Sequence, residues 1–102
     1  MKAILFAVLA VSSFSASAHA LQSHYGHLSS NGFKYTCSLA NHSEHTLDMK
    51  YVSFTVEDIS GSNHPYDLDE RIDQYVRPGE TVSSTMHIAK PVIVRYCKFL
   101  AR

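Results

Sequence analysis

Histidine is the chemically conspicuous residue of this chain. Seven occur in 102 residues, and four of them form two His-x-x-His pairs, His24/His27 and His42/His45, with Glu44 inside the second. Neutral imidazole is the commonest protein ligand for Zn²⁺ and Cu²⁺, and in a loop a spacing of three lets two rings point the same way. One chemical reading is therefore a Zn or Cu site drawn from His24, His27, His42 and His45. The bland reading is solvated polar turn residues, because structural zinc sites usually carry a tighter Cys/His code. The histidines also titrate in mild acid. Removing residues 1–20 leaves eight Lys+Arg against nine Asp+Glu, a net charge of −1, and protonating the six remaining histidines moves it to +5. Mild acid is thus expected to strengthen attachment to anionic partners such as cell-surface polymers or acidic lipid.

The other candidate groups point away from catalysis. Glu57, Asp58, Asp67, Asp69, Glu70 and Asp73 cluster in mid-chain, but Asp67-x-Asp69 lacks the Asp-x-Asp-x-Asp-Gly run and later Glu of a calcium loop. A solvated acidic face is expected. There is no Gly-x-Ser-x-Gly, no phosphate-cradling glycine loop and no His-Glu-x-x-His, so the chain is not expected to be an enzyme. A net charge near zero argues against general nucleic-acid binding. Asn41-His42-Ser43 fits an N-glycosylation acceptor, which matters only in a eukaryotic secretory pathway.

These residues must be carried by a small exported domain. Met1-Lys2, the apolar run Ala3–Val11 and the small residues Ser12–Ala20 have the layout of a cleavable secretory signal, too short to span a bilayer. Cleavage after Ala20 is expected, with Ala18 as the competing site. A cut after Ala18 would expose His19 as the N-terminus, an amine and an imidazole on one residue; copper enzymes and carriers with an N-terminal histidine begin this way. No later apolar stretch is long enough for a membrane helix. The protein is expected in the periplasm or outside the cell.

A domain of about 80 residues has a modest core and commonly needs a covalent staple. The chain has two cysteines, Cys37 and Cys97, and an oxidising compartment leaves one pairing for them. Each sits in a β-type run. Phe33, Tyr35, Cys37 and Leu39 alternate with polar residues, and Val92–Leu100 is the densest β-type stretch. Leu47, Met49 and Tyr51 are apolar at odd positions and Val52, Phe54 and Val56 at even ones. The pattern predicts a β-bulge near Tyr51-Val52, or else a central strand covered on both sides. Residues 66–76 are ambiguous: Leu68, Ile72 and Tyr75 or Val76 fit a helical stripe, Ile72, Gln74 and Val76 fit a short strand, and a loop or single turn followed by a strand from about Arg71 to Val76 is favoured. Arg77-Pro78-Gly79-Glu80 is a type II turn by composition, and Val82, Ser84, Met86 and Ile88 define the strand after it. Residues 21–32 read as a flexible polar arm ending in a turn.

Four or five strands without a long helix predict an all-β fold, a small disulfide-stapled sandwich (immunoglobulin-like) or a small barrel over residues 33–102. Phe33-Lys34-Tyr35-Thr36-Cys37 resembles the opening Tyr-x-Cys strand of small exported inhibitors of c-type lysozymes, a likeness that implies inhibition of a secreted enzyme. It covers one strand. The Ser-Gly-x-Arg/Lys-Tyr loop of that family is absent, and the family is not assigned. The reading that fits most of the chain is a non-catalytic binding protein acting through an edge strand or the end loops of a sandwich. Its partner would be a protein or a cell-surface component. A His-mediated Zn or Cu protein and a lysozyme-type inhibitor are the alternatives.

Overall fold

A computed structural model describes residues 20–60 and 64–102. The expected signal at residues 1–19 lies outside these. Seven strands follow in chain order: β1 (Gln22–Tyr25), β2 (His27–Asn31), β3 (Lys34–Ala40), β4 (Leu47–Asp58), β5 (Tyr66–Val76), β6 (Thr81–His87) and β7 (Val92–Ala101). They form two antiparallel sheets, ordered β1-β7-β4-β5 and β2-β3-β6, that face each other as a sandwich. The architecture is shared with immunoglobulin domains. The strand order is not, since an immunoglobulin constant domain groups its strands 1-2-5-4 and 3-6-7.

The disulfide joins Cys37 on β3 to Cys97 on β7, with Cα atoms 5.9 Å apart. Each is in an interior strand of its own sheet, so the bond crosses the core. Around it are Met49, Val52, Phe54, Val56, Val76, Val82, Ile88, Val92, Phe99 and Ala101, all buried. β4 supplies four of these residues and β7 three, with Val76 from β5, Val82 from β6 and Ile88 just after it. The inward alternation on β3, β6 and β7 follows the period of the pleat.

Residues 21–32 are not a loose arm. Gln22–Tyr25 pairs with Ala101–Lys98 on β7, and His27–Asn31 pairs with Ser38–Lys34 on β3. One polar stretch thus lies along the edge of both sheets, changing sheet at Gly26. Its polarity follows from that place: each half turns only one large side chain toward the core, His24 opposite Phe99 and Leu28 opposite Cys37. The β2–β3 hairpin closes over Gly32 (φ 65°) and Phe33, the two-residue turn with glycine first. Phe33 is therefore a turn residue, 63% exposed, rather than the first core residue of the strand.

β4 combines both readings of its sequence. Its ladders shift register between Met49 and Tyr51, which places the irregularity at Lys50, just before the expected position. Met49 and Val52 both reach the core across that step. β4 is also a central strand, between β7 and β5, with the outward Ser53 and Thr55 covered as well.

β5 is a strand along its whole length, not a loop followed by a short strand. Leu68, Ile72 and Val76 are its inward residues, and their spacing of four imitates a helix. The imitation has two causes. Glu70, opposite Val52, stays exposed at the sheet edge, and Asp73 (φ 45°) is passed over by the ladder between Arg71 and Gln74. The Arg77–Glu80 turn is as expected, with Gly79 at φ 85° and Glu80 N–H donating to Arg77 O at 2.9 Å.

Candidate functional site

The structure distributes the four candidate histidines. His24 faces the core side of β1, its Nε2 shut off from solvent with no hydrogen-bond partner among the described residues. His27, three residues on, is in the other sheet and exposed. The sheet change at Gly26 thus separates the first pair. His42 and His45 are exposed in the β3–β4 loop. Among the described residues no group of three or more His, Cys, Asp or Glu side chains converges where a metal could sit.

The β3–β4 loop is organised by Asn41, which is 2% exposed. Its Nδ2 donates to His45 O and to Val76 O, both at 2.8 Å, and its Oδ1 accepts from Ser43 N–H (3.0 Å) and Ser43 Oγ (2.6 Å). Its backbone N–H donates to Glu80 O, and its carbonyl accepts from Gly79 N–H, both at 2.8 Å. The Asn41 side chain thereby ties the β3–β4 loop to the end of β5, and its backbone ties it to the β5–β6 turn. Both Nδ2 hydrogens are used inside the fold, so the folded domain has no room for a glycan there.

The acidic mid-chain stretch becomes a set of local contacts. Asp73 lies beside Arg71 Nε (2.5 Å) and Lys50 Nζ (3.7 Å), and Lys50 also meets Asp48 at 3.2 Å. The hydrogen bond from Arg71, helped by the charges of Arg71 and Lys50, holds the Asp73 carboxyl below the usual carboxylate range. Arg71 also lies over the Tyr51 ring, 5.7 Å from its centroid. Asp67 accepts from Thr55 Oγ1 at 2.6 Å. Arg95 is the extra residue where the β4–β7 ladder shifts between Thr55 and Val56, and its guanidinium reaches Glu57 at 2.7 Å.

The end of the sandwich opposite Asn41 differs in chemistry. Three segments meet there: the Gly32-Phe33 turn, the start of the β4–β5 connection at Ile59, and residues 88–91 between β6 and β7. Ile88 N–H donates to Phe33 O at 2.9 Å and Ile59 N–H to Pro91 O at 3.2 Å, so the β6–β7 connection holds both of the others. Phe33 and Ile59 project from this end at 63% and 64% exposure. Tyr66 and Ile93 begin the adjoining strands and are exposed as well. Lys34 lies directly opposite His87 beside the Phe33 turn, and Lys90 sits in the β6–β7 connection. β2, β3 and β6 contain no Asp or Glu. Glu57 is tied to Arg95, and Asp58 closes β4 next to Ile59.

The sequence points to an edge strand or the end loops as a binding surface and does not single out this end. Phe33 reads as core from alternation alone, and Ile59 sits in a stretch that looks like any polar loop. The stretch that resembles the lysozyme inhibitors runs into the core at Tyr35 and Cys37, half-buried and buried. Comparison with protein-family models, with curated proteins and with solved structures finds no match.

Proposed function

We propose that the protein is a small exported binding protein, without catalysis of its own, that contacts a protein or cell-surface partner through the loop end carrying Phe33 and Ile59. The observation that supports this is the placement of these two side chains. Each is nearly two-thirds exposed, and each is on a loop hydrogen-bonded to the same β6–β7 connection. Single exposed apolar residues are ordinary; apolar residues gathered on loops at one end of a rigid scaffold mark a contact surface. The Cys37–Cys97 bond is in keeping with an oxidising compartment.

The charge around that end favours an anionic partner such as a cell-surface polymer or acidic lipid. Lys34, Lys90 and His87 border it, and the three strands of the smaller sheet bring no carboxylate. His87 borders this end and His27 lies farther along the same sheet, and imidazole is the side chain whose ordinary charge change falls in mild acid. Attachment then rises between about pH 7.5 and pH 5.5 and falls with salt.

The test is capture of partners from the native envelope or secretome by the mature protein and by Phe33→Ser/Ile59→Ser, alongside retention on an anionic matrix at both pH values. Loss of capture by the variant, with its thermal transition unchanged, is expected. Equal capture by the two proteins would place the contact surface elsewhere.

A further inference from the structure

β6 ends the three-stranded sheet, pairing with β3 on one side and with no strand on the other among the described residues. The register decides which of its backbone groups are engaged. Ile88 N–H donates to Phe33 O and Asn41 N–H to Glu80 O, bonds that bracket the strand at its two ends. In an antiparallel ladder bonded and non-bonded pairs alternate. Val82, Ser84 and Met86 therefore bond to Leu39, Cys37 and Tyr35. The N–H and C=O groups of Thr81, Ser83, Thr85 and His87 point to the open side.

The other edges are guarded. β1 and β2 have four and five residues, and the chain leaves one sheet for the other between them. β5 carries Asp67, Asp69, Glu70, Arg71 and Asp73, and its ladder is broken at the left-handed Asp73. Short length, charge and irregularity are the devices by which edge strands avoid pairing. β6 has none of them. Its seven residues, Thr-Val-Ser-Ser-Thr-Met-His, contain no proline, glycine, lysine or acid, and its ladder with β3 has no register shift.

The geometry points to a homodimer in which β6 pairs antiparallel with β6 of a second copy, joining the two three-stranded sheets into one of six strands. The strand is complementary to itself. A two-fold axis through Ser84 sets Thr81 against His87 of the second copy and Ser83 against Thr85, and repeats both pairs by symmetry. All four open residues then find partners, and every bonded pair falls on a residue whose N–H and C=O β3 leaves unused. On the core side, Val82 meets the half-buried Met86 of the second copy, so apolar surface at the sheet edge is covered. No like charges face each other across the axis. His87, the strand's one titratable group, lies opposite a threonine across the axis and opposite Lys34 on β3. Pairing with β5 would instead set hydroxyls against a row of carboxylates. Because the two β6 strands run in opposite directions, the loop ends carrying Phe33 and Ile59 lie at opposite poles of the dimer. The dimer itself does not depend on what those ends bind.

The test is sedimentation velocity of the mature, disulfide-bonded protein across the micromolar range, with two variants. The wild type is expected to sediment with twice the monomer mass. Thr85→Pro removes an N–H that faces the open side and not β3, so it is expected to give a monomer with the wild-type circular dichroism spectrum. Ser83→Lys/Thr85→Lys leaves the backbone intact and opposes lysines across the axis, and is expected to weaken dimerisation at least tenfold. A wild type that stays monomeric throughout the range overturns the proposal. So does a dimer that survives the double lysine variant.

Discussion

Gly26 lies against the disulfide: a β-carbon there would sit 2.6 Å from Cys37 Sγ and 2.9 Å from the carbonyl oxygen of Ser38. Gly26 N–H also donates to Cys97 O at 3.0 Å, so the residue where the chain changes sheets touches both halves of the staple. Any side chain must push the sulfur or the β3 backbone aside. Gly26→Ala is therefore expected to lower stability by about 1–3 kcal/mol, the usual cost of overpacking a filled interior. Urea denaturation of the oxidised protein measures it. An unchanged midpoint would show that the sheet crossing relaxes freely.

The staple itself closes a long loop. Cys37 and Cys97 are 60 residues apart in sequence. Chain entropy gives about 4 kcal/mol for a loop of that size, and loss of a native disulfide from a small exported domain costs roughly 2–5 kcal/mol. Cys37→Ala/Cys97→Ala should lose that much or fail to fold at 37 °C. Denaturation curves of the oxidised, reduced and double-alanine proteins test this, with the last two expected to coincide.

Asn41 is the polar counterpart of the disulfide at the other end of the sandwich. Asn41→Ala leaves Val76 O without its side-chain donor and His45 O with Ser43 Oγ alone, and the buried Val76 carbonyl accounts for a loss of about 1–3 kcal/mol. Asn41→Asp puts a carboxylate oxygen opposite those carbonyls and should be at least as damaging. Thermal unfolding ranks the variants. Folded protein made in a glycosylating host should carry no glycan at Asn41, which intact-mass measurement checks directly.

Asp73 links charge to acid sensitivity. Its carboxyl is held low by the hydrogen bond from Arg71 and by the nearby charges of Arg71 and Lys50. A carboxylate with a lowered folded-state pKa contributes stability that is present above its unfolded pKa and lost as pH falls through the folded one. Asp73 should therefore titrate below the usual aspartate range in carboxyl NMR spectra, and Arg71→Gln should raise it. The stability effect at neutral pH should be small, because Arg71 and Asp73 are solvent-exposed. Asp73→Gly separates charge from backbone. It removes the ion pair but relieves a left-handed conformation that costs an ordinary residue about 1–2 kcal/mol, so it should not destabilise.

The sequence alone determined the elements whose side chains alternate against a common core. β3, β6 and β7 are legible because Tyr35, Cys37 and Leu39, then Val82, Ser84 and Met86, then Cys97 and Phe99 repeat with the period of the pleat. The type II turn at Pro78-Gly79 is legible because φ constraints belong to single residues. The disulfide is legible because two cysteines allow one pairing. Tertiary structure decided the rest. β1 and β2 are invisible because an edge strand needs only one inward residue, and His24 and Leu28 are too few to make a pattern. β5 imitates a helix because its ladder passes over Asp73 and its edge leaves Glu70 uncovered. The histidine pairs separate because strands that are contiguous in sequence, on either side of Gly26, belong to different sheets. Phe33 and Ile59, far apart in sequence, come to the same end of the sandwich through residues 88–91, which bond to both loops. Alternation says which face of a strand a residue takes, but exposure at its end depends on what other chain segments cover, and that is a property of the assembled sheets.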